Sequence, residues 1–275
     1  MAALTIARKS ISGAFGNWRL WLIQFIGNPL LFLLFAGWLL IPVANTFYII
    51  LNALLAILLI AATVTLHGGT LNYFSERDLN LYVPLKRMFL RALRNIIPIL
   101  ICAAVLYFLW MLSDKFEDLR ETFPTYLRST LSASTRKHIS VSALENTFAV
   151  VAFGLRWILI PGLILPFAAA ASNKGFRGLA AGGFRRMKNA IGSFSYWLVL
   201  TLAAILGVYA TETILNSTPN FATSTYHHEM FSLVIRLVIS YSLALIAWMI
   251  TCSTVGRTAW RAEFTVTQVP RQPGT

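Results

Sequence analysis

Three charged side chains stand inside long apolar runs: Arg156, Glu212 and Arg236. A guanidinium in apolar surroundings recruits phosphates and carboxylates, and a neighbouring carboxylate neutralises it. The runs predict that all three lie at a comparable height. Glu212 would then pair with one arginine and leave the other free for an anionic ligand or lipid headgroup. A structural role competes with this, because long side chains near helix ends snorkel and a buried Arg–Glu pair can fix helix register. His227, His228 and Glu229 form the most metal-like group, but adjacent histidines point to opposite sides of most backbones and no third histidine is near. No His-Glu-x-x-His pair occurs, no Asp falls within an apolar run and no nucleophile–base pair is evident. The residues therefore predict no metal, no cofactor and no catalytic centre.

The elements that must position these groups follow from composition. The 275 residues are 57% hydrophobic and 12% charged, with a mean hydropathy of +0.68, which is too apolar for a soluble domain. A membrane-crossing helix needs about 20 predominantly apolar residues. Runs at about 20–41, 47–67, 96–112, 147–171, 193–215 and 230–255 predict an all-α, polytopic integral membrane protein of about six transmembrane helices. Residues 1–265 form one transmembrane domain, and the Pro-containing stretch 266–275 reads as a disordered tail. The amino-terminal stretch lacks a signal-cleavage pattern and reads as retained. Cys102 and Cys252 fall inside apolar runs and offer no disulfide framework.

The net charge of +13 is distributed by side. Lys and Arg gather in the connectors that share a side with the termini, which predicts a cell-membrane protein with both termini cytoplasmic. The connector 113–146 is the longest hydrophilic piece and carries charges of both signs. Leu112, Phe116, Leu119 and Phe123 predict an amphipathic extension of the third span, stopped by Pro124, and Ser142 with Glu145 predicts a capping box for the fourth. This piece is too small to bury a core of its own, so contact with a protein partner is its expected use. No basic groove or recognition module suggests nucleic acid.

The basic intervals are patterned. Leu85, Met88, Phe89, Ala92, Leu93 and Ile96 recur at helical spacing while Arg87, Arg91 and Arg94 take another face. Phe176, Leu179, Ala180, Phe184, Met187 and Ile191 repeat the design against Arg177, Arg185, Arg186 and Lys188, and Leu4, Ala7, Ile11, Phe15 and Trp18 echo it before the first span. Such helices are expected to lie at the interface, with apolar stripes among acyl chains and the cations on anionic lipid headgroups. Each ends near an asparagine (Asn17, Asn95, Asn189) and precedes an apolar hairpin, which hints at three repeats of helix plus hairpin.

Pro98, Pro161 and Pro166 interrupt the third and fourth spans, and broken helices can offer carbonyls to a substrate. Asn52 in the second span reads as interhelical glue.

This plan resembles that of several bacterial membrane families of poorly defined activity, including the membrane domain attached to some glycerophosphodiester phosphodiesterases. The resemblance covers most of the chain and implies a membrane domain of this kind; that family's catalytic barrel has no counterpart here. The expectation is a non-enzymatic membrane component organising lipid or protein partners. The alternatives are a transporter of a small anionic or lipid-like molecule using Arg156, Arg236 and Glu212, and a membrane enzyme.

Overall fold

The computed structural model describes residues 8, 10–42, 44–76, 84–120, 122–136, 138–217 and 226–267, with side chains left out at 226–227 and 258–267. Among the described residues its regular structure is all helical, with no strand, and six helices are long and apolar enough to cross a membrane. A helical stretch at 10–14 (α1) leads to α2, Trp18–Leu39, and α3, Thr46–Glu76. The short α4, Leu85–Arg94, precedes α5, Ile96–Glu117. The connector folds into α6, Phe123–Thr130, and α7, Ala133–Arg136. Next come α8, Val141–Phe153, a π-helical segment Gly154–Leu159, and α9, Ile160–Arg177. A second π segment, Gly178–Gly182, opens into α10, Gly183–Ile191. Then follow α11, Phe194–Ala204, a third π segment Ile205–Ala210, α12, Thr211–Asn216, and α13, Tyr226–Thr267.

Several helices outrun their apolar runs, because a helix can continue past the hydrocarbon wherever its polar end packs on protein. α3 continues to Glu76 rather than stopping near His67, and the buried Thr70, Leu71, Asn72, Phe74 and Ser75 line that extension. α5 continues to Glu117, which places Asp114 inside the helix. Pro124 starts α6 instead of stopping a helix, since its missing N–H costs nothing in a first turn. Phe116 and Phe123 both meet Phe148 of α8, at centroid distances of 4.6 and 5.9 Å, so the connector folds back on the bundle. The cap of α8 is Ser140, whose hydroxyl accepts the Ala143 N–H at 3.1 Å. The Ser142–Glu145 box is therefore displaced by an earlier cap. Helix α13 runs on to Thr267, past the expected start of the tail; residues 268–275 lie outside the described set.

The topology is a ring of three units. Helices α3, α9 and α13 touch one another at the centre. α2 pairs with α3, α5 with α9, and α11 with α13. Each short helix sits on the return arm of the unit before it: α4 on α3, α10 on α9. α1 closes the ring on α13, where the Ser253 hydroxyl donates to the Ser10 carbonyl at 2.8 Å.

Packing is concentrated at the basic end. Leu71, Phe74, Ala92, Ile99, Ala169, Ala171, Ala190, Leu200, Met249, Cys252 and Val255 belong to one buried cluster there. Towards the opposite end the hairpins separate. Phe32, Leu33, Leu34 and Phe35 are 69, 64, 47 and 45% exposed, and four consecutive residues at about 100° each circle the helix. Val234, Ile235, Leu237, Val238 and Ile239 of α13 are likewise all exposed. Each hairpin keeps one narrow seam with its partner arm and bares most other faces.

Candidate functional site

Arg156 lies on the first π segment. Its two terminal nitrogens each contact a carboxylate of α5, Asp114 and Glu117, both at 2.8 Å. Those acids are three residues apart and so share a face of α5. The guanidinium also stacks over Trp110, 3.8 Å from its centroid, and lies 5.5 Å from Trp157. The expected neutralisation by Glu212 is not made. The apolar run of the third span ends at 112, which puts Asp114 and Glu117 on its amphipathic extension, and nothing in the sequence shows that this extension lies beside Arg156. Two carboxylates now face one arginine, leaving no net positive charge there for an anion.

Arg236 is held differently. Its Nε donates to the Ser232 carbonyl, and its Nη1 donates to the carbonyls of Leu215, at 2.9 Å, and Ser217. It thereby caps the end of α12, where unsatisfied carbonyls concentrate negative charge. Glu212 is exposed and has no hydrogen bond or ion pair among the described residues. It lines a groove of about 320 Å³ together with Trp157, Gly207, Val208, Thr211, Leu215 and Asn216. Thus Arg156, Glu212 and Arg236 gather around one region, with Arg156 behind Trp157 and Arg236 beyond Leu215, but they do not converge on one point.

At the basic end the cations divide into two sets. Arg87, Arg94, Arg177, Arg185 and Lys188 are exposed. Arg91 and Arg186 turn inward: Arg91 pairs with Glu76 and donates to Asn173 at 3.2 Å, and Arg186 reaches Ser75 at 3.4 Å. These two were expected to face lipid and instead tie α4, α9 and α10 to the end of α3. The apolar stripe of α4 is corrected in the same way. Met88 and Ala92 are fully buried, and Leu85, Phe89 and Ile96 pack against the buried cluster, so the stripe is largely spent on protein rather than acyl chains. On the other unit Phe176, Phe184 and Ile191 stay 57, 63 and 52% exposed. Beside α4, Pro84, Lys86, Arg87, Leu90, Arg91 and Arg94 line a shallow basic groove of about 490 Å³.

At Pro166 and Pro29 the carbonyl that loses its helical donor is served by a tyrosine from a neighbouring helix. Pro166 removes the N–H that would serve Gly162, and the buried Tyr196 hydroxyl of α11 donates to that carbonyl at 2.6 Å. Pro29 likewise orphans Phe25, whose carbonyl takes the Tyr241 hydroxyl of α13 at 2.9 Å. Proline on one helix with tyrosine on the next is a signal the sequence holds only once the neighbours are known. We expect Tyr196→Phe to lower stability by about 1–2 kcal/mol. In a Pro166→Ala background, where the restored N–H serves Gly162, that loss should disappear. Unfolding midpoints in detergent for the four-variant cycle measure it; an equal loss in both backgrounds refutes the assignment.

The remaining polar candidates scatter. His228 and Glu229 are exposed at the start of α13, and the side chain of His227 lies outside the described residues. His67 sits well inside α3 and meets Trp248 edge-on at 5.2 Å. Asn52 offers its backbone carbonyl to the Trp38 indole at 3.1 Å, while its side-chain nitrogen has no partner among the described residues; it is not the glue expected of it. The stronger polar contact between these helices is Gln24, fully buried and bonded to Thr70 at 2.6 Å.

These features define an all-α polytopic membrane protein. No protein-family model matches the chain, and neither a curated protein nor a solved structure matches it.

Proposed function

We propose that this chain is a non-enzymatic membrane component that organises lipid, holding acyl chains in the clefts between its three separated hairpins. The observation that carries this is the apolar exposure of Phe32–Phe35 all round α2, together with the broad exposed arc of Val234, Ile235, Leu237, Val238 and Ile239 on α13. A helix exposed on its outer face alone needs only bulk lipid. One exposed on its inner face as well leaves space inside the bundle, and a space walled by Leu, Ile, Val and Phe favours hydrocarbon over water. The exposed cations of α4 and α10 support a second contact, with anionic headgroups, at the opposite boundary, which we read as the cytoplasmic one from its share of Lys and Arg. The two carboxylates already facing Arg156 and the tyrosine hydroxyls on the Gly162 and Phe25 carbonyls weigh against a polar transport path. Exposed Tyr126 and Leu127 on α6 leave the connector open to a protein partner.

Spin labels placed singly at 32–35 and at 234, 235, 237 and 238 test the reading in bilayers. Every position should be accessible to molecular oxygen and shielded from a water-soluble nickel chelate. A wet stripe on the inner faces would replace this reading with transport. A stripe shielded from both reagents would replace it with a protein partner.

A further inference from the structure

The groove beside Trp157 has a polar pattern that the packing of the bundle does not use. It runs between the π segments Gly154–Leu159 and Ile205–Ala210, and such segments often occur at functional sites because the extra residue redirects side chains. Three observations at this groove point to a ligand with two charges.

First, Glu212 presents a carboxylate with no cationic partner among the described residues, although Arg156 lies just behind the Trp157 wall. Arg156 is already matched by two acids, so any positive charge for Glu212 must come from elsewhere. Second, the Trp157 indole shares the groove with that carboxylate. An aromatic face beside a carboxylate suits an ammonium group carrying carbon substituents. Third, Arg236 is anchored through Nη1 on the carbonyl of Leu215, itself a groove residue, and through Nε on the Ser232 carbonyl, while Nη2 makes no hydrogen bond among the described residues. A guanidinium held at Nε and Nη1 still carries its charge and offers the two N–H groups of Nη2 to a phosphate oxygen.

The height of the groove narrows the choice. Glu212 lies about 27 Å along the helix from Phe194, and Arg236 about 31 Å from Arg257, at ~1.5 Å per residue. Both therefore stand near the far boundary of a hydrocarbon core about 30 Å thick, where phospholipid headgroups are found. The apolar walls Gly207, Val208 and Leu215 can take the first part of an acyl chain.

We infer that this groove binds the headgroup of a zwitterionic, ammonium-bearing phospholipid, with the ammonium on Glu212 and Trp157 and the phosphate on Arg236. This rests on the lipid-organising reading and adds the lipid class and its site. An anionic lipid without an amine would leave Glu212 uncompensated and add a second negative charge beside it. A free amine would use neither Arg236 nor the apolar walls.

The test uses the full chain in detergent, delipidated and then offered equimolar phosphatidylethanolamine and phosphatidylglycerol, with bound lipid counted by native mass spectrometry. Wild type should retain phosphatidylethanolamine preferentially. Glu212→Gln, a neutral isostere at an exposed position, should lower its retention relative to phosphatidylglycerol by about tenfold. Trp157→Leu should reduce it less, and Arg236→Gln should weaken both lipids. Soluble phosphoethanolamine should not displace the lipid. The inference is overturned if wild type shows no preference, if Glu212→Gln leaves the preference unchanged, or if the soluble headgroup competes equally with the lipid. Chains that retain lipid but fail these tests sink this site alone; chains that retain no lipid sink the lipid-organising reading itself.

Discussion

Replacing Gly256 with alanine should destabilise the protein by about 3 kcal/mol. A Cβ at this position would lie 2.5 Å from the Phe74 carbonyl oxygen and 2.6 Å from its carbon. Both atoms belong to the backbone of α3, so no rotamer change relieves the clash, and α13 must move away from α3 at the ring's centre. Gly37 is the matched control, since nothing lies within 4 Å of a Cβ built there. Gly37→Ala should be neutral or slightly stabilising, because alanine favours helix over glycine by ~1 kcal/mol. Comparing the unfolding midpoints of the two variants with wild type separates close packing from helix propensity. A similar response at both positions would mean that α3 and α13 do not approach as described.

The second large effect is at Arg156. Arg156→Met removes the only cation paired with Asp114 and Glu117 among the described residues, and two like charges three residues apart would then sit at the membrane boundary unpaired. Breaking a buried pair costs about 3–5 kcal/mol. Here the acids are 40 and 46% exposed, so screening reduces the expected loss to about 2 kcal/mol. The decisive comparison is the triple variant that adds Asp114→Asn and Glu117→Gln. It should recover most of the loss, because the penalty comes from the stranded carboxylates rather than from the missing arginine. Arg156→Lys should fall between, having charge but neither the fork nor the stacking on Trp110. If the triple variant is no more stable than Arg156→Met, the arginine acts through other contacts.

The parts of this fold that were legible in the sequence are those set by bilayer thickness. Uncharged runs of sufficient length located all six spans, and the amphipathic spacing around Met88 and Phe184 located α4 and α10. Helix ends are less legible where protein, rather than lipid, surrounds the helix: the apolar run of α3 stops at His67 but the helix continues to Glu76, whereas the stripe Leu112, Phe116 does signal the continuation of α5 to Glu117. What that extension packs against is not legible, and this decides the site. Asp114 and Glu117 were assigned to a connector, so Glu212 was left as the natural partner for Arg156. Arg91 and Arg186 were read as lipid-facing because helical periodicity reports only that a face is polar, and Glu76 and Ser75 were invisible as neighbours. The proline–tyrosine pairs were hidden for the same reason. Each joins residues on different helices, and only the threefold arrangement brings them together.

The closure of the ring at Ser10 and Ser253 bears on how the molecule is made. α1 precedes α13 in the chain by more than 200 residues, so the surface on which α1 rests does not exist until α13 has been inserted. The seats of α4 and α10, by contrast, are on α3 and α9, which directly precede them. The contact between α1 and α13 is therefore a late latch, one that can engage only when the three units are all in place.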